Sequence, residues 1–221
     1  MPSLPRRCTA LLLLPLFLLL AAGSALAMEP RPFDARYRLE VKGWPNATIE
    51  HRLSHDGAEW RSEMSADIAV ARGSERSRFL AGPAIRSLHY ASGYTLMGFG
   101  KEYELDRESL DGLPDRQAAL FELSRRASAA DCAAPCRLRY LDHRGREKEV
   151  EYRVLSRTDL SLPAGEFEAV RVEVTEPDEP GRRMIFSFHP ELPGLLLAME
   201  YQRDGERRSR LALTELALGP R

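Results

Sequence analysis

From Phe33 to Leu218 the chain repeats one device: a short run in which apolar and polar residues alternate, followed by a turn signal. The run Phe33-Asp34-Ala35-Arg36-Tyr37-Arg38-Leu39-Glu40-Val41-Lys42 shows it most plainly. Phe33, Ala35, Tyr37, Leu39 and Val41 take one face, and the charged residues take the other. Successive side chains of a strand point to opposite faces, so the run predicts a strand with one buried and one wet face. Gly43-Trp44-Pro45-Asn46 and His55-Asp56-Gly57 are turns, and Asp-Gly is a strong hairpin signal. Leu162 to Leu218 opens on the turn Leu162-Pro163-Ala164-Gly165-Glu166-Phe167 and predicts a four-stranded antiparallel meander.

One stretch departs from the alternation. Between Leu113 and Ala130, Ala119, Leu120, Leu123 and Ala127 recur at helical spacing. Pro114 suits an early helical position, Asp115 complements the N-terminal dipole, and Arg125 and Arg126 stand towards the C-terminal end. The expectation is a helix over about 114–130. The whole reads as a mainly β chain: a curled antiparallel sheet or partial, open β-barrel of about ten strands, with one helix against its concave face or across its mouth. Alternating βαβ units are absent, which excludes a doubly wound fold.

The first residues read as a targeting segment. Arg6 and Arg7 are a positive n-region, Leu11 to Ala22 is an apolar run too short to span a bilayer, and Ala25-Leu26-Ala27 is a small-x-small cleavage signature. The expected division is a signal peptide over 1–27 and a single domain over 28–221, which places the mature protein in the periplasm. Removal of 1–27 takes away two Arg and no acid, so the formal charge moves from −1 to −3. That balance argues against an electrostatic nucleic-acid binder, and no later segment is apolar for long enough to cross a membrane as a helix. Of the three cysteines, Cys8 precedes the cleavage point, leaving Cys132 and Cys136. In an oxidising compartment the leading reading is a local disulfide. The C-x-x-x-C spacing is not that of a thioredoxin-like pair, and no further zinc ligands lie nearby.

The mature chain resembles DUF3108, a family of exported bacterial proteins whose function is unknown. The likeness lies in the opening strand Phe33-Asp34-Ala35-Arg36-Tyr37-Arg38-Leu39, in Leu120-Phe121-Glu122-Leu123 of the predicted helix, and in Tyr152-Arg153-Val154-Leu155 leading to Leu162-Pro163-Ala164-Gly165-Glu166-Phe167. Where the family has a tryptophan-bearing strand, this chain has Phe186-Ser187-Phe188-His189-Pro190. The resemblance implies an antiparallel β fold in the periplasm and supplies no reaction, cofactor or ligand.

Few residues ask for chemistry. His51 and His55 have metal-ligand spacing only on a helix; on a strand, four residues span roughly 13 Å, and His51 reads as an interior residue. His189-Pro190-Glu191 reads as a strand end and turn. Glu102 and Glu104 share a strand face that reads as solvated. No Gly-x-Ser-x-Gly occurs. Asn46-Ala47-Thr48 fits a glycosylation pattern that matters only in a eukaryotic secretory pathway. Arg144 to Lys148 and Arg203 to Arg210 read as solvated hairpins, the alternative being contact with lipid phosphates or acidic envelope polymers, a surface to which Arg182-Arg183 would add. The stretch Gly93-Tyr94-Thr95-Leu96-Met97-Gly98-Phe99-Gly100 is uncharged, and it reads as a flexible loop. Tyr94, Leu96, Met97 and Phe99 are the candidate ligand-binding residues, as the lip of an apolar cavity. The alternative for this stretch is a hairpin that completes the core.

No catalytic residue, metal site or cofactor is expected. The function expected is non-enzymatic: binding or carriage of a lipid or other apolar or amphipathic envelope ligand. The alternatives are a structural or assembly factor that contacts an envelope protein, and a hydrolase of envelope polymers.

Overall fold

The computed structural model describes residues 30–68, 71–110, 112–129, 132 and 134–220; the proposed signal peptide lies outside them. Six strands precede the helix: β1 (Phe33–Val41), β2 (Ala47–Asp56), β3 (Glu59–Ile68), β4 (Ala71–Ala81), β5 (Ile85–Leu96) and β6 (Phe99–Leu105). The helix α1 spans Arg116–Ala129. Six more strands follow: β7 (Cys136–Leu141), β8 (Glu147–Leu162), β9 (Gly165–Thr175), β10 (Arg182–Phe188), β11 (Leu196–Arg203) and β12 (Glu206–Leu218).

All twelve form one antiparallel sheet in the order β6-β5-β4-β3-β2-β1-β12-β11-β10-β9-β8-β7. The Leu162–Leu218 meander forms as expected from β9 to β12, and two more strands form than the ten expected from sequence. The two halves of the chain are joined by β1 against β12, with Tyr37 opposite Leu213 and Leu39 opposite Leu211. The sheet is therefore continuous through its centre, and its edges are β6 and β7.

The sheet curls around the helix. α1 touches β4 and β5 near one edge and β7 and β9 near the other. At the seam the edges approach without pairing. Tyr90, Leu105, Leu110 and Leu141 form a small buried cluster there, and the Leu141 N–H donates to the Pro114 carbonyl at 2.9 Å. The barrel stays open because the chain between β6 and α1 occupies the seam.

Polar contacts peg the helix alongside apolar ones. Asp115 is the N-cap: its Oδ1 accepts the backbone N–H of Gln117 at 2.9 Å and of Ala118 at 3.0 Å. Its Oδ2 accepts the hydroxyls of Ser77 on β4 and Ser87 on β5, both at 2.6 Å. The group is fully buried. Burial pushes its carboxyl above the ordinary range, while these four donors pull the other way. Towards the C-terminal end Arg125 donates to the carbonyls of Gly82 and Pro83, and Arg157 of β8 donates to the Ser128 carbonyl. Phe79 and Phe121 pack between sheet and helix with ring centroids 5.0 Å apart.

The turn between β10 and β11 closes on the same helix. The Gly194 N–H donates to Ser124 Oγ at 2.7 Å, and Gly194 has φ +85°. A Cβ there would stand 2.6 Å from Phe121 Cδ2. Cys132 and Cys136 are joined by a disulfide directly after the helix, and the Val154 N–H donates to the Cys132 carbonyl at 3.1 Å.

Two substitutions test these pegs. Asp115→Ala removes the cap and strands two buried serine hydroxyls, so denaturant unfolding should show a loss of about 2–4 kcal/mol. Gly194→Ala should cost about 1–3 kcal/mol through the clash with Phe121. Parent-like midpoints for both would show that neither contact holds the helix.

Candidate functional site

The face that meets α1 is identified by Ser62 and Ser77, whose hydroxyls donate to Gln117 Oε1 and Asp115 Oδ2. Strand register then places four rows of residues side by side on that face across β3, β4, β5 and β6. The row under the helix is Ser62, Ser77, Tyr90 and Leu105. Next come Met64, Glu75, Ser92 and Tyr103, then Ala66, Gly73, Tyr94 and Lys101. The outermost row is Ile68, Ala71, Leu96 and Phe99. The helix packs over the first of these rows and reaches the second only at Glu75, through Arg116 and Gln117.

The second row and most of the third line a cleft of about 370 Å³. Ile49, Met64, Ala66 and Tyr94 give it apolar walls, Tyr103 and His143 line one side, and Glu75 and Arg116 stand at its helix end. Arg116, the first residue of α1, places Nε 2.6 Å from Glu75 Oε1 and Nη2 2.9 Å from Oε2. This fork-on-fork pairing fixes the plane of the guanidinium. Tyr90, fully buried beneath, donates its hydroxyl to Glu75 Oε1. Burial and then the Glu75 charge raise the Tyr90 hydroxyl pKa, so it stays a donor.

The side wall comes from the β7–β8 turn reaching across the seam. His143 packs edge-on against Tyr103, with ring centroids 4.8 Å apart. Arg144 donates from Nε to His143 Nε2 at 3.3 Å and holds its guanidinium 5.8 Å from the centre of the Tyr103 ring. Burial lowers the His143 pKa; of its charged neighbours, Asp142 raises it while Arg116, Arg144 and Arg146 lower it.

The candidate lip lies at the uncovered end. Gly93 to Gly100 is a hairpin, not a flexible loop: Leu96 pairs with Phe99 around a two-residue turn at Met97-Gly98. Both turn residues have positive φ, +50° and +85°, as a right-twisted hairpin requires. The signal was hard to read because Met stands where Asn or Asp is usual. Gly100 is needed for a close approach, since a Cβ there would lie 2.3 Å from the Tyr94 carbonyl oxygen. Phe99 is 83% exposed, Met97 74%, Tyr94 50% and Leu96 42%. Leu96 and Phe99 continue the face of the cleft to its open end, Tyr94 lines the cleft, and Met97 stands at the turn.

The other residues singled out from sequence do not converge. His51 is buried, 2.9 Å from Ser62 Oγ through Nε2, and edge-on to Phe33 at a centroid distance of 5.0 Å. Ser62 donates onward to Gln117, so His51 Nε2 must carry the hydrogen, leaving Nδ1 as a buried acceptor without a partner. His55 stacks near Trp60. His189 Nδ1 accepts the Glu191 backbone N–H. Among the described residues no group of three or more His, Cys, Asp or Glu is placed to hold a metal ion. Most of the arginine hairpins are paired, as in Arg146 with Asp142, Arg183 with Glu173 and Arg208 with Glu206. A hollow of about 680 Å³ on the other face lies among Arg36, Glu50 and Arg52, charges already bound to one another or to Asp34 and Glu215.

Sequence reasoning missed Glu75, Tyr103, Arg116 and His143, whereas Arg144 belongs to the Arg144 to Lys148 hairpin, whose alternative reading was contact with lipid phosphates. The available signal was Glu75: it alternates in phase with Phe79, which puts a carboxylate on the buried face of its strand.

No protein-family model matches the chain, and no curated protein does. The likeness to DUF3108 therefore rests on the residues quoted for it. Solved structures to which the chain is similar include MucB of Pseudomonas aeruginosa in complex with MucA, at 14% identity and TM-score 0.41, covering 88% of this chain and 54% of that one. The chain thus spans about half the length of that MucB structure. A candidate lipoprotein of Parabacteroides distasonis is 8% identical, with TM-score 0.38 and 86% and 96% coverage. A candidate exported protein with a YmcC-like fold from Bacteroides fragilis is 12% identical, with TM-score 0.40 and the same coverage.

The His51 arrangement has a consequence for pH. Burial lowers its pKa from 6.5 to about 4, so between those values the unfolded chain binds the extra proton and the folded chain does not. Stability should fall as pH drops through that window, by at most about 1.4 kcal/mol per pH unit. Chemical denaturation of the parent and His51→Gln at pH 4.5 and 6.5 isolates this part from Asp115, whose raised carboxyl acts with the opposite sign. A smaller pH dependence in the variant is expected; an equal one contradicts the assignment.

Proposed function

We propose that the mature protein is a non-enzymatic periplasmic carrier or binding protein, and that its concave cleft takes an apolar or amphipathic ligand of the cell envelope. One observation carries this reading. The helix fills one end of the curled sheet and leaves the other as an apolar-walled cleft, with the exposed Leu96 and Phe99 in the next row on the same face. Core side chains do not close it, although Met64, Ala66 and Tyr94 all face inward on its walls. Apolar surface kept open in this way is the usual form of a small-ligand site, in which a few polar groups set orientation. Tyr94, Leu96, Met97 and Phe99 act as the lip over which the ligand enters. The Cys132–Cys136 disulfide suits an exported protein, as does the n-region, apolar run and cleavage pattern before Met28.

The test is recovery of the protein from its native periplasm, solvent extraction and mass spectrometry of what it carries. Apolar or amphipathic small molecules should be recovered from the parent. They should be reduced at least about fivefold in Ala66→Trp, whose indole would occupy the cleft while its strand keeps a residue favourable to β structure. An empty parent, or a variant that retains the full load, overturns the reading.

A further inference from the structure

The cleft is not neutral at its polar end. Glu75 takes up Nε and Nη2 of Arg116, which leaves the two hydrogens of Nη1 with no protein acceptor among the described residues. Arg144 has no carboxylate partner among the described residues either: its contacts are the face of Tyr103 and Nε2 of His143. Asp142, the nearest acid in sequence, is committed to Arg146, with two guanidinium contacts at 2.6 and 2.8 Å. Lys101 lies on the same face, in register with Tyr94. Arg116 thus lines the cleft with one edge of its guanidinium unused, and Arg144 stands against Tyr103 and His143 of its side wall, whereas the outer face of β1 and β2 pairs Arg36 and Arg52 with acids.

From this geometry we infer that the ligand is an amphipathic oxyanion: a hydrocarbon chain lying along Ile49, Met64, Ala66 and Tyr94, with its carboxylate or phosphate held by Arg116 Nη1 and Arg144. The inference rests on the proposed function and adds the charge of the head group. Arg116 is already set in orientation by Glu75, and Arg144 by Tyr103 and His143, so both guanidiniums meet a ligand without much further loss of side-chain freedom. A free fatty acid and a phospholipid head group share this chemistry.

The experiment compares three twelve-carbon probes on the purified mature protein by titration calorimetry below their micelle concentrations: laurate, dodecyl phosphate and 1-dodecanol. At least one anion should bind about tenfold or more tighter than the alcohol, the gain expected from charge-assisted hydrogen bonds. Preference for laurate identifies a carboxylate ligand, and preference for dodecyl phosphate a phosphate one. Arg144 sits in an exposed turn, so Arg144→Gln should fold normally; it should cut anion affinity about three- to tenfold and leave dodecanol unchanged. Equal binding of all three probes overturns the oxyanion while leaving the cleft as a ligand site. Binding of none overturns both. An equal loss of all three ligands in Arg144→Gln would make Arg144 a structural residue of the turn and overturn its role here.

Discussion

Asp115 is where the sheet and the helix of this architecture are tied together. A curled sheet of twelve strands cannot bury its own concave face without something inside it, and here that is a single helix of fourteen residues. The buried carboxylate of Asp115 caps that helix and at the same time holds hydroxyls from β4 and β5. With the N-terminus fixed in this way, Arg116 is delivered to Glu75 and Gln117 to Ser62. The remaining pegs, Ser124 to the β10–β11 turn and Arg125 to the β4–β5 turn, keep the helix at one end of the curl. The cleft exists because the plug stops where Asp115 stops it.

The same arrangement explains the asymmetry of the concave face. On the side of β9 to β12, Val170, Val172, Leu197 and Leu213 are fully buried and pack as a core. On the side of β3 to β6 the inward rows hold Ser62, Ser77, Ser92, Ala66 and Gly73, side chains too small to fill the curl. The small residues leave space, and the aromatic and methionine side chains at its borders give that space an apolar wall. Charge then accumulates where the seam brings the β7–β8 turn against β6.

Much of the fold was legible in the residues because antiparallel strands with one wet face alternate visibly, as Phe33 to Val41 does. Helical spacing at Ala119, Leu123 and Ala127 located α1 to within two residues of its start, and the meander from β9 to β12 follows from its turns. The candidate site was less legible. Phe99 and Leu96 stood out because nothing charged surrounds them, but their partners do not share their stretch. Glu75 and Arg116 are 41 residues apart, and they meet only through register and the helix cap. The β7–β8 turn read as one more solvated arginine hairpin, since no local pattern says that a turn will reach across an unpaired seam. The type of turn at Met97-Gly98 escaped notice for a related reason: its positive φ values fall on a methionine, a residue that rarely takes them.

The central claim is that a ligand occupies the cleft beside Met64, and not the packed half of the sheet. The six methionines of the sequence make this directly measurable, because Met64 and Met97 lie on the cleft side while Met184 and Met199 belong to β10 and β11. The measurement is methyl NMR of methionine-labelled mature protein titrated with laurate or dodecyl phosphate. The account predicts that the Met64 methyl resonance moves most, with saturation, while those of Met184 and Met199 stay in place. Saturable binding that shifts Met184 and Met199 and leaves Met64 unmoved would contradict it.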